Sequence, residues 1–399
     1  MGKKLSLLEF IILMALMFSL IAYATDAMLP AFERIALDLK TQNVSRVQLI
    51  IAFFVLGTGI GQLIAGPLSD TLGRKPVILG GILFFILASI WASATSSLEM
   101  LLLARFVQGL GISAPRTVGM AMVRDLYTGR EMARVLSLTM MLFVLVPGVA
   151  PLFGQYLMNI FGWRSIFLSC VGLGGVVSLW LWLRQEETLR MEKRKPIRWK
   201  VLVDGWVEIR KSRRAMMSMF ILGFAYSLIF AYLSSAQQVF VDWLDVGEDF
   251  PLYFGIIAVL SGLAGVLNAV LVVRLGMWLL STFGMLIICV LSFVTGGAIW
   301  SGWIESTLLL PVFVAWSIMM FFVSGLVFTN LNAMALEPMG HIAGTASALI
   351  GAISTTGSIV LVIPIGQLYD GTGVPLILGI GLCAGTGFLL NQFNPRKLD

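Results

Sequence analysis

The ten residues Gly66-Pro67-Leu68-Ser69-Asp70-Thr71-Leu72-Gly73-Arg74-Lys75 tie together two long apolar runs, 45–68 and 76–97. A connection that short leaves its flanking segments side by side and antiparallel. Its chemistry suits a tight turn: Gly66 permits close backbone approach, Gly73 permits a positive φ, and Asp70 and Arg74, a helical turn apart, can pair. The runs on either side reach the roughly 20 residues that an α-helix needs to cross about 30 Å of hydrocarbon. The stretch reads as the loop of a transmembrane helical hairpin.

The rest of the chain repeats that pattern. Of 399 residues, 58% are hydrophobic and only 12% charged, with mean hydropathy +0.95, whereas soluble domains carry about 25% charged residues. In lipid every backbone polar group must be satisfied internally, which leaves helices and closed barrels. Barrel strands would be about ten residues of alternating pattern, so the longer apolar runs specify helices. Twelve spans are predicted, over 7–30, 45–68, 76–97, 98–122, 134–159, 164–183, 215–241, 252–273, 277–300, 307–333, 344–367 and 374–393. Ala22-Tyr23-Ala24 in the first resembles a signal-peptidase site. That run exceeds a signal segment's apolar core and many spans follow, so it reads as an uncleaved helix. Cys170, Cys289 and Cys383 lie in separate runs without metal or disulfide spacing and read as packing.

An even number of spans puts both termini on one face, and excess Lys and Arg mark the cytoplasmic one. Of 27 basic residues, 21 fall with the termini, including Lys3, Lys4, Arg74, Lys75 and Lys397. Only Arg34, Lys40, Arg46 and Arg164 fall opposite, and Arg105 and Arg116 lie inside a span. The expected localisation is therefore the cell inner membrane, multi-pass, with both termini cytoplasmic. Net charge of +6 is explained without nucleic acid. The basic linker 184–214 divides six-span halves, 1–183 and 215–399. Phe106-Val107-Gln108-Gly109-Leu110 recurs as Phe322-Val323-Ser324-Gly325-Leu326, and Leu72-Gly73 as Leu275-Gly276. The fold class is an all-α membrane protein of twelve transmembrane helices in two pseudo-repeat halves, which suits alternating access. Stripes at Gly57, Gly61, Ala65 and at Gly344, Ala348, Ala352 read as close packing or as the contact on which the halves rock.

Charges inside a span are costly and mark function or a partner. Asp26 lies near the outer end of the first span and Arg105 seven residues into the fourth. Depths of roughly 6 and 10 Å would let them meet, as a fixed salt bridge or as a titrating carboxylate tuned by the arginine. Arg116 lies about 1100° of helical rotation beyond Arg105, within about 20° of the same face. It faces a cavity, where it would favour anionic or zwitterionic substrates, or snorkels to headgroups. Tyr23, Tyr226, Tyr232, Gln237, Gln238, Asn330 and Asn332 complete the substrate-binding set, as lining of a mixed polar pocket or as interhelical hydrogen bonds.

The loop stretch resembles the cytoplasmic signature of the major facilitator superfamily, and its Gly66, Asp70, Gly73, Arg74 and Lys75 form the expected conformational switch together with Gly148, Pro151 and Gly154. Arg105-Phe106-Val107-Gln108-Gly109-Leu110-Gly111 resembles the family's intramembrane arginine motif, and Val146 to Gly154, with Gly148, Pro151 and Gly154, its antiporter motif. The latter departs at Ala150 and Gln155, where glycines are usual. Thr25-Asp26-Ala27-Met28-Leu29-Pro30 and Arg124-Asp125 are similar to the bicyclomycin and chloramphenicol resistance subfamily of twelve-helix drug:proton antiporters. The resemblance implies the major facilitator fold and export of drugs or small metabolites driven by inward proton flow, with Asp26 and Arg105 as the proton-coupling pair.

No GxxxxGK[ST] phosphate loop is present, so direct use of ATP is not expected, and the lone His341 leaves no HExxH metal site or histidine triad. No cofactor is implied beyond the proton gradient; the partners are a small molecule, protons and the bilayer, and the expected state is a monomer. The alternative is a dedicated transporter of one anionic or zwitterionic metabolite, in export or uptake. A channel would show charge rings or a carbonyl filter, and an enzyme a facing nucleophile and base.

Overall fold

Pro30 ends the first helix before the apolar run does. Proline has no N–H to offer the Asp26 carbonyl four residues earlier, and in the computed structural model α1 stops there, at Leu7–Asp26. A 3₁₀ turn, Leu29–Ala31, follows, then the short α2, Phe32–Asp38. The expected continuous helix over 7–30 is thus broken at its acidic residue. The structure describes residues 5–41, 44–194 and 199–396; Lys3, Lys4, Lys195, Arg198 and Lys397, which entered the charge argument, lie outside them.

The remaining helices are α3 (Leu49–Leu72), α4 (Arg74–Ser93), α5 (Leu98–Leu126), α6 (Gly129–Phe161), α7 (Arg164–Arg184), α8 (Trp199–Lys211), α9 (Arg213–Gln238), α10 (Phe250–Gly262), α11 (Ala264–Leu275), α12 (Met277–Trp300), α13 (Leu309–Leu336), α14 (Ala343–Gln367) and α15 (Val374–Gln392). Ten stretches of the described residues are long and apolar enough to span, and one of them, Ser306–Gln367, contains both α13 and α14. Helix α5 is absent from those ten because it carries Glu99, Arg105, Arg116, Arg124 and Asp125. Counting both gives the twelve expected spans. The eighth is not one helix, since its hydrogen bonding breaks at Leu263 between α10 and α11. The linker contains a helix of its own, α8, whose Gly205 sits against Thr345 and Leu349 of α14.

The chain divides into two compact units. One holds residues up to Thr41 together with Phe53–Asp204; the other holds the segment ending at Ala52 together with Gly205 onward. In the first, α4 packs on α5 and α7, and α1 on α5, α6 and α7. The Gly57–Gly61 stripe of α3 packs inside this unit: a Cβ on Gly57 would strike the Phe106 carbonyl, and one on Gly61 would meet Ser113 of α5. Gly109 answers from α5, facing the Phe54 carbonyl. The stripe is a helix–helix contact within one unit, as small residues allow in lipid. In the second unit α9 packs on α13, α14 and α15, and α12 on α13 and α15.

Candidate functional site

The break that Pro30 makes in α1 leaves carbonyl groups of the last turn without backbone partners and gives the helix end a partial negative charge. Arg105 answers it. Its Nη1 donates to the Ala24 carbonyl at 3.1 Å and to Gln108 Oε1 at 2.5 Å. Gln108 in turn donates through Nε2 to Ser89 Oγ at 2.7 Å. The guanidinium lies 4.1 Å from the centre of the Phe54 ring, a cation–π geometry that offsets part of the cost of burying it. Arg105 is wholly buried.

Asp26 is buried too, at 5% exposure, but it does not pair with Arg105. Among the described residues it forms no ion pair and no side-chain hydrogen bond. The expected meeting takes place two residues earlier, on the Ala24 backbone, because the terminal carbonyl supplies the guanidinium's acceptor. Helix α6 closes the other side: a Cβ on Gly154 would strike the Ala27 carbonyl oxygen. Tyr23, one turn back, exchanges a 2.5 Å hydrogen bond with Ser169 Oγ of α7, and its ring lies 6.2 Å from that of Phe153. Around one helix end, then, the fold gathers a buried carboxyl group, an aromatic hydroxyl and a buried cation held apart from that carboxyl.

Arg116 shares the α5 face that meets α1. Gly119, close by on that face, has Phe18 of α1 against it. Yet Arg116 is exposed, and among the described residues it makes no hydrogen bond or ion pair.

The loop stretch forms a charge cluster at the other end of this unit. Arg74 Nη1 meets Asp70 at 2.5 Å and Ser69 Oγ at 2.7 Å, and its Nε meets Asp125 at 3.1 Å. Thr188 also donates to Asp125, at 3.0 Å. Gly73 has φ +107° and starts α4, whose first N–H groups, Arg74 and Lys75, donate to the two carboxylate oxygens of Glu187 at 2.9 and 3.0 Å. The close approach expected at Gly66 is absent: nothing lies within 4 Å of a Cβ built there.

In the second unit the expected polar set disperses. Tyr232 is fully buried, donating to Ser317 Oγ at 3.0 Å among Phe313, Trp316 and Phe321. Asn330 donates to Asn268 Oδ1 at 2.7 Å, tying α13 to α11. Both serve the packing of this unit, while Asn332 is exposed. Tyr226 is half-buried, edge-on to Phe328 at 4.3 Å. Gln237 and Gln238 are buried at 3% exposure each, and Gln238 accepts from the side chain of Gln48.

Several partners in these clusters had no role assigned from the sequence, Gln108 and Asp125 among them although both stand in the quoted motif stretches. Gln108 stands three residues after Arg105 and Asp125 directly after Arg124, so helical spacing and adjacency were available signals. Phe54 and Glu187 carry none, because their partners lie 51 and 113 positions away.

Residues 10–362 match the profile of the Major Facilitator Superfamily, and the chain belongs to that family of membrane transporters, which are not enzymes. It is 33% identical over 359 residues to an uncharacterized MFS-type transporter, YdgK, of Bacillus subtilis, covering 88% of this chain and 86% of that protein. It is 28% identical over 400 residues to a bicyclomycin resistance protein homolog of Haemophilus influenzae, covering 98% of each. A D-xylose-proton symporter has the same fold, with TM-score 0.74 at 15% identity over 98% of this chain and 97% of that one.

Proposed function

We propose that this transporter exports drugs or small metabolites by alternating access, in exchange for protons entering through Asp26. The observation that carries this reading is the placement of Asp26: a buried carboxyl group without an ion pair among the described residues, at a helix break, next to Ala27, on which Gly154 of α6 packs. A carboxyl group free of a fixed counter-charge can gain and lose a proton as its surroundings open and close. Arg105 then sets the electrostatics of the helix end without neutralising the acid. The name of the Haemophilus relative supports antibiotic compounds as a starting substrate set. The charge asymmetry supports an inner-membrane location with both termini cytoplasmic, and the proposed working unit is the monomer, energised by the proton gradient rather than ATP. The test is a substrate screen in inverted vesicles under an imposed pH gradient. Gradient-dependent accumulation of a compound, abolished by dissipating the gradient, is expected; accumulation indifferent to the gradient would overturn proton coupling.

A second reading, transport of one anionic or zwitterionic metabolite, rests on Arg116, an exposed cation without a partner among the described residues. A guanidinium there can hold a carboxylate or phosphate by two parallel hydrogen bonds.

A further inference from the structure

The two Leu-Gly turns share a backbone and differ in what fills them. Gly73 and Gly276 precede α4 and α12, with φ/ψ of +107°/160° and +78°/158°. Neither can cap its helix with a side chain, so the first N–H groups need an outside acceptor. At α4 that acceptor is Glu187, one carboxylate bridging the Arg74 and Lys75 N–H groups. At α12 no described side chain takes that place. A cavity of about 520 Å³ opens there instead, lined by Gly276, Met277, Trp278, Arg214, Arg396 and Glu337 among others.

The cavity's charges favour an anion. Arg214, only 6% exposed, is fixed by Glu337 at 2.6 Å and by the Pro395 carbonyl at 3.2 Å. Those contacts occupy its two terminal nitrogens, while its buried Nε–H has no acceptor among the described residues. The Arg396 guanidinium carbon lies over the Trp278 ring, 4.2 Å from its centroid, and both residues line the cavity. Among the described residues Glu337 balances one of the two cations, which leaves one positive charge and the positive end of a helix of 24 residues facing the cavity without a described counter-charge. The Trp278 indole N–H is already committed to the Asn391 and Asn394 carbonyls. The available donors are therefore N–H groups and guanidinium edges arrayed around a space much larger than a carboxylate.

We propose that this pocket binds a phosphate group, seated on the N-terminus of α12 between Arg214 and Arg396, in the position that Glu187 holds in the other half. The phosphate belongs to a soluble phosphomonoester or to an anionic lipid headgroup, and the experiment separates them. The full-length protein in detergent is titrated with glycerol 1-phosphate against matched chloride. In parallel it is relipidated with phosphatidylglycerol or phosphatidylcholine, and retained lipid is counted by native mass spectrometry. Binding is expected in at least one arm, and Arg396→Glu, at an exposed position, should weaken it at least tenfold with the melting temperature of the unliganded protein unchanged. If Arg396→Glu lowers expression, Arg396→Ala gives the same comparison with a smaller expected loss. A response in the first arm alone identifies a soluble phosphate and in the second alone a headgroup. No binding in either arm, or binding unaltered by the Arg396 variants, overturns the proposal.

Discussion

Gly154 of α6 and Ala27, the residue that caps the end of α1, touch backbone to backbone: a methyl group on Gly154 would come within 3.0 Å of the Ala27 Cα and closer still to its carbonyl. The contact ties the stretch that resembles the family's antiporter motif to the residue directly after Asp26. The two features that suggested export from sequence are one packed unit in space.

Gly154→Ala should therefore be damaging despite its small size. Overpacking of a tight helix contact costs about 1–3 kcal/mol, and here the obstacle is backbone, which cannot rotate away. Thermal unfolding should shift down by several degrees and transport should fall with it. Gly172→Ala on α7, where nothing lies within 4 Å, is the matched control and should leave both unchanged.

Asp26→Asn keeps the shape of the side chain and removes its titration. Proton-driven transport should be lost while substrate binding survives, and substrate-induced proton release from the purified protein should vanish. Undiminished release would move the proton site elsewhere.

Arg105 and Gln108 should behave as one element. Removing the guanidinium leaves the Gln108 Oε1 atom and the Ala24 carbonyl without the donor they share, at about 1–3 kcal/mol for each buried group left unsatisfied. A double-mutant cycle of Arg105→Ala with Gln108→Ala should show coupling of about 0.5–3 kcal/mol. Strict additivity would mean that the hydrogen bond contributes nothing to stability.

Glu187→Gln tests the cap on α4. Losing the negative charge that two backbone N–H groups share should cost about 0.5–2 kcal/mol and loosen the start of the linker. Limited proteolysis across 184–194 should accelerate, and unchanged cleavage would mean that Glu187 does not hold this segment.

Arg116→Lys separates the two functional readings. Arg116 is exposed and without a described protein partner, so stability should change by less than about 0.5 kcal/mol. Binding of anionic compounds should weaken, because lysine cannot reproduce a bidentate fork, and neutral compounds should be unaffected. Equal losses for both would assign Arg116 a structural role.

The architecture was legible because the bilayer imposes it: apolar runs of spanning length, a basic linker and a charged tight turn each follow from solvent physics. The Asp70–Arg74 pair and the positive φ of Gly73 were legible for the same reason, being local. What the sequence hid was non-local. Asp26 and Arg105 read from the sequence as able to meet, and Arg105 reaches the Ala24 carbonyl instead, because distance along a helix axis does not say which acceptor wins. Pro30, visible all along, decides it by ending α1 and freeing carbonyls. For Tyr232 and Asn330 pocket lining and interhelical hydrogen bonding stayed open, because composition cannot tell a polar side chain facing a cavity from one bonded to Ser317 or Asn268.

The backbone at Gly73 and Gly276 has a consequence for how these genes can drift. Both lie where φ is positive and ψ near 160°, a region essentially closed to any residue with a Cβ, at about 1–3 kcal/mol. Every single-base missense change in a glycine codon installs such a residue. Neither turn therefore has a tolerated neighbour one mutation away, while the acids and cations around them are exchangeable one at a time. The surroundings of the two turns can thus diverge in charge, one with Glu187 on its helix end and the other with an open basic pocket, while both turns keep their glycine.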